Sequence, residues 1–434
     1  MALYAVPLAM FFAVYTYTRR QEQTRSITAI NEAIEAGLTE PPTLHPVIDP
    51  AKCMGCGSCV TACPEGEIIG LVNKKAILLE PAECIGHGAC KAACPFDAIS
   101  LVFGTATRGV DLPVVAPDFQ TNVPGLYIAG ELGGMGLIRN AIEQGRQALA
   151  SIAQRKPSKV VDMLDVFIVG AGPAGMSASL AAKEKGLNAV TVEQEDLGGT
   201  VAHFPRGKLV MTQPATLPLI GKMTFREISK EALLEFWHNA VRQAGLKIQF
   251  GERVEGITPL GPDAGFEIKT TVRTYRSNTV LLTIGRRGTP RKLGVPGEEQ
   301  SKVVYRMIDP AQYTGQHVVV VGGGDSAIEA ANALADEPGT TVTLSYRSGA
   351  FARCKPKNRA KIDENAKSGR VKVVLNSVVK NITQSDVELV QKLDDGPRKI
   401  TLRNDAVIVC AGGILPSDFL RKIGINVETK HGTH

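Results

Sequence analysis

Apolar and polar positions follow several distinct periods along this chain. An uncharged stretch, Ala2 to Thr18, is followed at once by Arg19-Arg20. A polar connector, Gln21 to Asp49, carries a helical pattern around Ile27–Ala36, broken by Pro41-Pro42. Farther on, short apolar runs end in glycine: Val166-Phe-Ile-Val-Gly170, Val280-Leu-Leu-Thr-Ile-Gly285 and Val318-Val-Val-Val-Gly322. Runs of this kind suit parallel strands covered on both faces. Lys230–Gly245 sets Leu233, Leu234, Phe236, Trp237, Ala240 and Val241 at helical spacing, and predicts an amphipathic helix. Lys247–Val254 and Gly265–Thr271 read as strands. Strands alternating with helices predict an α/β protein.

The leading uncharged run would span roughly 26 Å as a helix, slightly short of the ~30 Å hydrocarbon core. Tyr15 and Tyr17 fall where an interfacial aromatic belt would lie. No positive charge precedes the run, as a secretory signal would require. Arginines after it favour leaving the rest of the chain in the cytoplasm. The expectation is one transmembrane helix in the inner (cytoplasmic) membrane, single-pass, with the soluble domains on the cytoplasmic side. A signal peptide or a helix buried against a partner are the alternatives.

Composition narrows the class. The 434 residues have room for two or three domains, and 44% hydrophobic content with 44 glycines fits a turn-rich α/β chain. A net charge of +6 without a long basic run gives no nucleic-acid signature. Nine cysteines are present, but seven lie between Cys53 and Cys94 at metal-cluster spacings, which implies a reducing compartment.

The strand ending at Gly170 opens Gly170-Ala-Gly172-Pro-Ala-Gly175, and a second strand ends in Thr191-Val-Glu193. Gly170 permits the turn, Gly172 lets the backbone approach a pyrophosphate, and Gly175 lets helix and strand pack closely. Glu193, 23 positions past Gly170, stands where an acid would hold a ribose hydroxyl. This is a dinucleotide fingerprint, and its neighbours indicate FAD. A second turn, Gly322-Gly-Gly324-Asp-Ser326-Ala327, has the GxGxxA form. Its matching strand ends at Ser345, with Arg347 and Arg353 beyond. A hydroxyl with arginines there favours NADPH over NADH, with NADH left open.

Cys53-Met-Gly-Cys56-Gly-Ser-Cys59-Val-Thr-Ala-Cys63-Pro64 has the C-x2-C-x2-C-x3-C-P spacing of an iron–sulfur motif. Its repeat is Cys84-Ile-Gly-His87-Gly-Ala-Cys90-Lys-Ala-Ala-Cys94-Pro95, with histidine in register at the second ligand position. Residues 46–103 resemble the two-cluster bacterial ferredoxins, an α+β fold. That resemblance implies one cluster on Cys53, Cys56, Cys59 and Cys94, and another on Cys63, Cys84, Cys90 and His87. Two iron–sulfur clusters are expected. The second is either a [4Fe–4S] cluster ligated by His87 or a [3Fe–4S] cluster with His87 beside it.

Val123-Pro-Gly-Leu-Tyr-Ile-Ala-Gly130-Glu131 and the helical Leu137–Gly145 resemble the second FAD-binding segment of thioredoxin-reductase-like two-dinucleotide flavoproteins. In that family this segment closes the chain, whereas here it precedes Gly170. Asp405–Pro416 resembles the strand returning to the FAD domain, after which the chain stops. The reductase therefore resembles a circular permutant, and Glu131 replaces the family aspartate. Gly199 and Thr200, in Leu197-Gly-Gly-Thr, resemble the loop that approaches flavin, and Gly285 leads toward the second domain. The resemblance implies two Rossmann-like FAD and NAD(P) domains of the three-layer ββα type.

The redox cysteine pair of disulfide reductases is missing. Val201 follows Thr200, residues 286–321 hold no cysteine, and Cys354 and Cys410 are 56 positions apart. Thiol-free members resemble ferredoxin–NADP reductases. The implied function is electron transfer between NADPH and a redox partner protein or quinone at the membrane, through FAD and two clusters. The alternatives are a non-catalytic relay subunit or a thiol/disulfide reductase. No catalytic acid–base residue is nominated; His203 reads as a packed or capping residue. A homodimer is left open.

The expected order is an anchor at 1–18, a linker at 19–45 and a ferredoxin domain at 46–103. A displaced FAD segment follows at 104–155, then an FAD domain at 156–285. An NAD(P) domain at 286–405 and a return to the FAD domain at 406–434 complete it.

Overall fold

The computed structural model describes every residue except 1, 36–37, 42–43, 107–108, 135, 156–162, 213, 262–263, 287, 352–353 and 433–434. The chain opens with one helix, Ala2–Glu35, and Pro7 sits near its start. The expected connector helix around Ile27–Ala36 is the end of this same helix as far as Glu35. Ser26 and Ala33 are buried, and Gln23 Nε2 donates to Asn73 Oδ1 at 3.3 Å. The leading half leaves Val6, Leu8, Phe11, Phe12 and Tyr17 exposed.

The expectation of a membrane anchor is overturned here. Among the described residues no helix is long and apolar enough to cross a membrane. The uncharged run is shorter than the ~20 residues a span requires, and threonines and tyrosines dilute it before the arginines arrive. The inner-membrane, single-pass placement falls with it.

Next comes a small module in which His45–Ile48 pairs antiparallel with Ile99–Val102, and Ile69–Val72 forms a hairpin with Lys75–Leu78. Two one-turn helices, Ser58–Thr61 and Ala89–Ala92, occupy equivalent places in the two cysteine motifs. Each follows a left-handed glycine, Gly57 at φ 80° and Gly88 at φ 78°. The sequence repeat is thus also a repeat of backbone shape.

The first nucleotide unit is built on a sheet ordered Ile248–Phe250, Ala189–Glu193, Leu164–Val169, Thr274–Leu282, Phe266–Thr270, Val254–Pro259. The helix Lys230–Ala244 packs on the helix Pro173–Glu184, with Ser229 as N-cap and Gly245 in the left-handed C-cap. Trp237 on that helix is fully buried. Leu126–Ile128, from ahead of the first glycine turn, pairs parallel with Val280–Leu282. Its following helix, Ile138–Ile152, packs on Pro173–Glu184. The last strand, Val427–Lys430, pairs antiparallel with Val110–Pro113. Asn122 ties this join from both sides, donating to Gly424 O and accepting from Asn426 N, each at 2.8 Å. The strand Val427–Lys430 and the segment ahead of the first glycine turn therefore meet at one edge.

The second unit holds a parallel sheet ordered Val303–Val304, Ala406–Val409, His317–Val321, Thr341–Ser345, Val371–Val374. An antiparallel meander, Ser377–Ile382 to Asp386–Leu393 to Gly396–Arg403, forms a further layer. Ala406–Val409 corrects the sequence reading. It is an inner strand of this second sheet, buried at every position, and not the strand that returns to the first unit. The crossing back comes after it, where Gly413–Ile414 pairs with Thr289–Pro290. Ala406–Val409 and Gly413–Ile414 both lie within one continuous uncharged run, Ala406 to Leu415, so pattern alone did not separate them. Leu38 and Ala82 join the core of the second unit, which seats the cysteine module against it.

Candidate functional site

Three sites are assembled from distant segments. At the first glycine turn, Gly170 takes φ 103°, and Gly172 caps the helix Pro173–Glu184, with proline in its first turn. A Cβ on Gly175 would stand 1.8 Å from Gly170 O, so only glycine lets the helix close on the strand. Glu193 is buried, and its carboxylate accepts from Ala171 N–H at 2.7 Å and Glu195 N–H at 3.0 Å. Gly199 and Thr200 begin the short helix Gly199–His203, with Gly199 backbone against Gly172. Gly130 lies beside Ala174, and Glu131 opens the turn Glu131–Gly133. The displaced segment thus reaches the fingerprint helix. Gly285 follows Thr274–Leu282 at φ 63°, open around its Cα. Sequence reasoning missed Gln144, whose Oε1 accepts Gly130 N–H at 2.8 Å and fixes the start of the turn. A polar residue at helical spacing before Gly145 was the only signal for it. An acid at the strand end, a bare glycine turn and a helix N-terminus suit FAD's ribose and pyrophosphate.

The second turn opens a cleft of about 750 Å³ between the two units. Gly322, Gly324 and Ser326 line it, and Ala327 is buried behind. Ser345 is fully buried, sharing a 2.8 Å hydrogen bond with Ser377, so its hydroxyl is already engaged. Arg347 is exposed at the rim. Arg353 lies outside the described residues. Arg291 and Lys292, which no motif marked, add cations to the lining. His203 comes from the first unit and faces the cleft. Its Nε2 lies 2.6 Å from Glu195 Oε2, while Arg306 of the second unit reaches both Glu195 and His203 Nδ1, at 3.1 and 2.8 Å. Lys208–Glu329 and Arg206–Asp309 cross the same boundary at 2.6 and 3.2 Å. His203, expected as a packing residue, is part of a clasp between the two units.

The cysteine module encloses two hollows. Cys53, Cys56, Cys59 and Cys94 line one. Cys63, Cys84, His87 and Cys90 line the other. Each motif's fourth cysteine crosses to the other hollow. Among the described residues no three His, Cys, Asp or Glu side chains converge on one metal-ion position. The donor sets, four thiols around one hollow and three thiols with a histidine around the other, suit iron–sulfur clusters. Burial pushes the Cys59 thiol up to about 11 and raises Cys84 and Cys90. Such thiols ionise when bound metal supplies the opposing charge. Backbone amides already point at the sulfurs, Ala76 N–H to Cys53 Sγ and Ala98 N–H to Cys94 Sγ, each at 3.4 Å. Burial lowers the pKa of His87.

The remaining two cysteines, Cys354 and Cys410, are both in the thiol form. Cys354 is fully buried, and burial pushes its thiol up to about 11. Cys410, expected in the core, is half-buried at the cleft wall.

Comparison with known proteins fits this geometry. Residues 167–433 match the family described as pyridine nucleotide-disulphide oxidoreductase, and residues 45–95 match the 4Fe-4S dicluster domain. A ferredoxin–NADP reductase of Ignicoccus hospitalis is 32% identical over 274 residues, covering 62% of this chain and 83% of the relative. A bacilliredoxin reductase of Bacillus subtilis is 26% identical over 272 residues, covering 61% and 82%. In fold, the chain is similar to the bacillithiol disulfide reductase of Staphylococcus aureus. The TM-score is 0.53 at 24% identity, covering 61% of this chain and 81% of that one.

Proposed function

The chain belongs to the pyridine nucleotide-disulphide oxidoreductase family and is a ferredoxin–NADP reductase-like FAD oxidoreductase with a 4Fe-4S domain ahead of it. From that premise we propose that it moves electrons between NADPH and a separate one-electron carrier protein, using both nucleotide cradles and the cysteine module. The observation that carries this reading is the meeting of Phe103 and Gly134. Phe103 follows directly on Ile99–Val102 of the cysteine module, and Gly134 closes the turn begun by Glu131. A Cβ on Gly134 would stand 2.5 Å from Phe103 Cζ, so the module abuts the flavin cradle without a gap.

In this reading FAD supplies the change from hydride to single electrons, and the clusters carry electrons one at a time. The residues do the positioning. Gly170, Gly172, Gly175, Gly199, Thr200 and Gly130 leave room for the pyrophosphate and ring, Glu193 orients the ribose, and Glu131 faces the flavin side. Gly322, Gly324, Ser326 and Ala327 form the second nucleotide turn, and Arg347 meets the 2′-phosphate. Cys53, Cys56, Cys59 and Cys94 would hold one cluster; Cys63, Cys84 and Cys90 would hold the other, with His87 beside it. Cys354 is buried in the core and Cys410 lies at the cleft wall, 56 positions apart in sequence and in no CxxC motif, so thiol exchange has no redox-active motif to use.

Anaerobic stopped-flow mixing with NADPH tests the proposal. Flavin absorbance should bleach first, and cluster absorbance should then decline in the same protein. Failure of NADPH to bleach the flavin would sink it.

A further inference from the structure

Register alone makes His87 the fourth iron ligand of the second hollow. The hydrogen bonds of its ring point elsewhere. Nδ1 lies 3.1 Å from the backbone nitrogen of Ala89, and an amide N–H can only donate. The nitrogen it faces therefore holds a lone pair and no proton. Neutral imidazole carries one proton, so that proton is on Nε2. Nε2 is the nitrogen that faces Cys63, 3.9 Å from Sγ and within hydrogen-bond range of a sulfur.

A protonated nitrogen has no lone pair to give to iron. Ligation through Nε2 would move the proton to Nδ1 and set two N–H groups against each other at Ala89. Ligation through Nδ1 would strand the Ala89 amide, one of the orphan donors at the start of Ala89–Ala92. Cys56, the equivalent residue of the first motif, offers a sulfur with several lone pairs and escapes this conflict, bonding Ser58 Oγ at 3.4 Å while remaining able to bind iron.

We infer that His87 is not an iron ligand but an N–H donor to the Cys63 thiolate, and that the second cluster hangs on three protein thiolates, Cys63, Cys84 and Cys90. This rests on the cluster reading proposed above. Hydrogen bonds to cluster sulfurs help set the reduction potential, and a donor favours the more negative, reduced state. His87 is in this view a positioning and tuning residue.

The test uses full-length protein carrying nitrogen-15-labelled histidine, examined by pulsed EPR with the clusters partly reduced. The expected result is only the weak nitrogen coupling of a hydrogen-bonded ring. His87→Ala should keep the second cluster's iron while its midpoint potential falls. His87→Gln, which restores an N–H donor, should recover part of that fall. Strong coupling of a directly bound nitrogen, lost together with iron in His87→Ala, would overturn the inference; the wild-type spectrum alone decides if neither variant folds. Protein that binds no iron–sulfur cluster under any condition overturns the parent reading and this one with it, a result distinct from a bound nitrogen.

Discussion

Gly145 and Ala174 meet backbone to backbone: a Cβ on Gly145 would stand 2.1 Å from the Ala174 carbonyl oxygen. Gly145 lies on the helix of the displaced segment, and Ala174 in the first turn of the fingerprint helix. The contact welds two stretches that the chain order separates. Two effects oppose each other in Gly145→Ala. Helix propensity favours alanine by about 0.8–1 kcal/mol. Overpacking against backbone that cannot rotate away costs about 1–3 kcal/mol, and here it wins. The variant should melt at lower temperature and retain less FAD after gel filtration, read from absorbance. A higher melting temperature with full flavin content would show that the helices separate freely.

Arg347 is the cation at the rim of the second cleft on the strand end that would meet a 2′-phosphate. A charge-assisted hydrogen bond contributes about 1.5–3 kcal/mol, or about ten- to hundredfold in affinity. Arg347→Ala should raise the KM for NADPH by that factor and leave the KM for NADH nearly unchanged. Equal effects on both cofactors would refute the phosphate role.

Glu80 reports on how the cysteine module holds together. Burial, then repulsion from Glu83 and a hydrogen bond with it, then Glu67 and Glu32, raise its pKa from 4.5 to about 7. The folded chain therefore holds this proton more tightly than the unfolded chain. Its stabilising contribution is full below about 4.5 and is lost as pH rises toward about 7. Glu80→Gln, which mimics the protonated form, should flatten the fall in melting temperature across that window. An unchanged pH profile would mean Glu80 titrates normally. Glu32 lies on the N-terminal helix, so the same window bears on how firmly that helix stays docked.

Much of the candidate site was legible in the sequence because it depends on local geometry. A glycine that must adopt positive φ, such as Gly170, cannot be replaced silently. A helix with its caps, such as Lys230–Ala244 between Ser229 and Gly245, carries both ends in its residues. Cysteine spacing likewise declared the two motifs and their repeat. The leading apolar run was misjudged because a count of uncharged residues ignores how threonine and tyrosine weaken it.

What the sequence by itself determined, then, is the set of turns, caps, strand runs and ligand spacings, each settled within a few residues by sterics and hydrogen-bond supply. Only the tertiary structure decided which distant pieces meet: Leu126–Ile128 beside Val280–Leu282, Arg306 across from Glu195, Phe103 on Gly134, Ala406–Val409 inside the second sheet. It also decided which nitrogen of His87 faces Cys63. These are relations between surfaces. They depend on long-range closure of the chain, which no local pattern encodes.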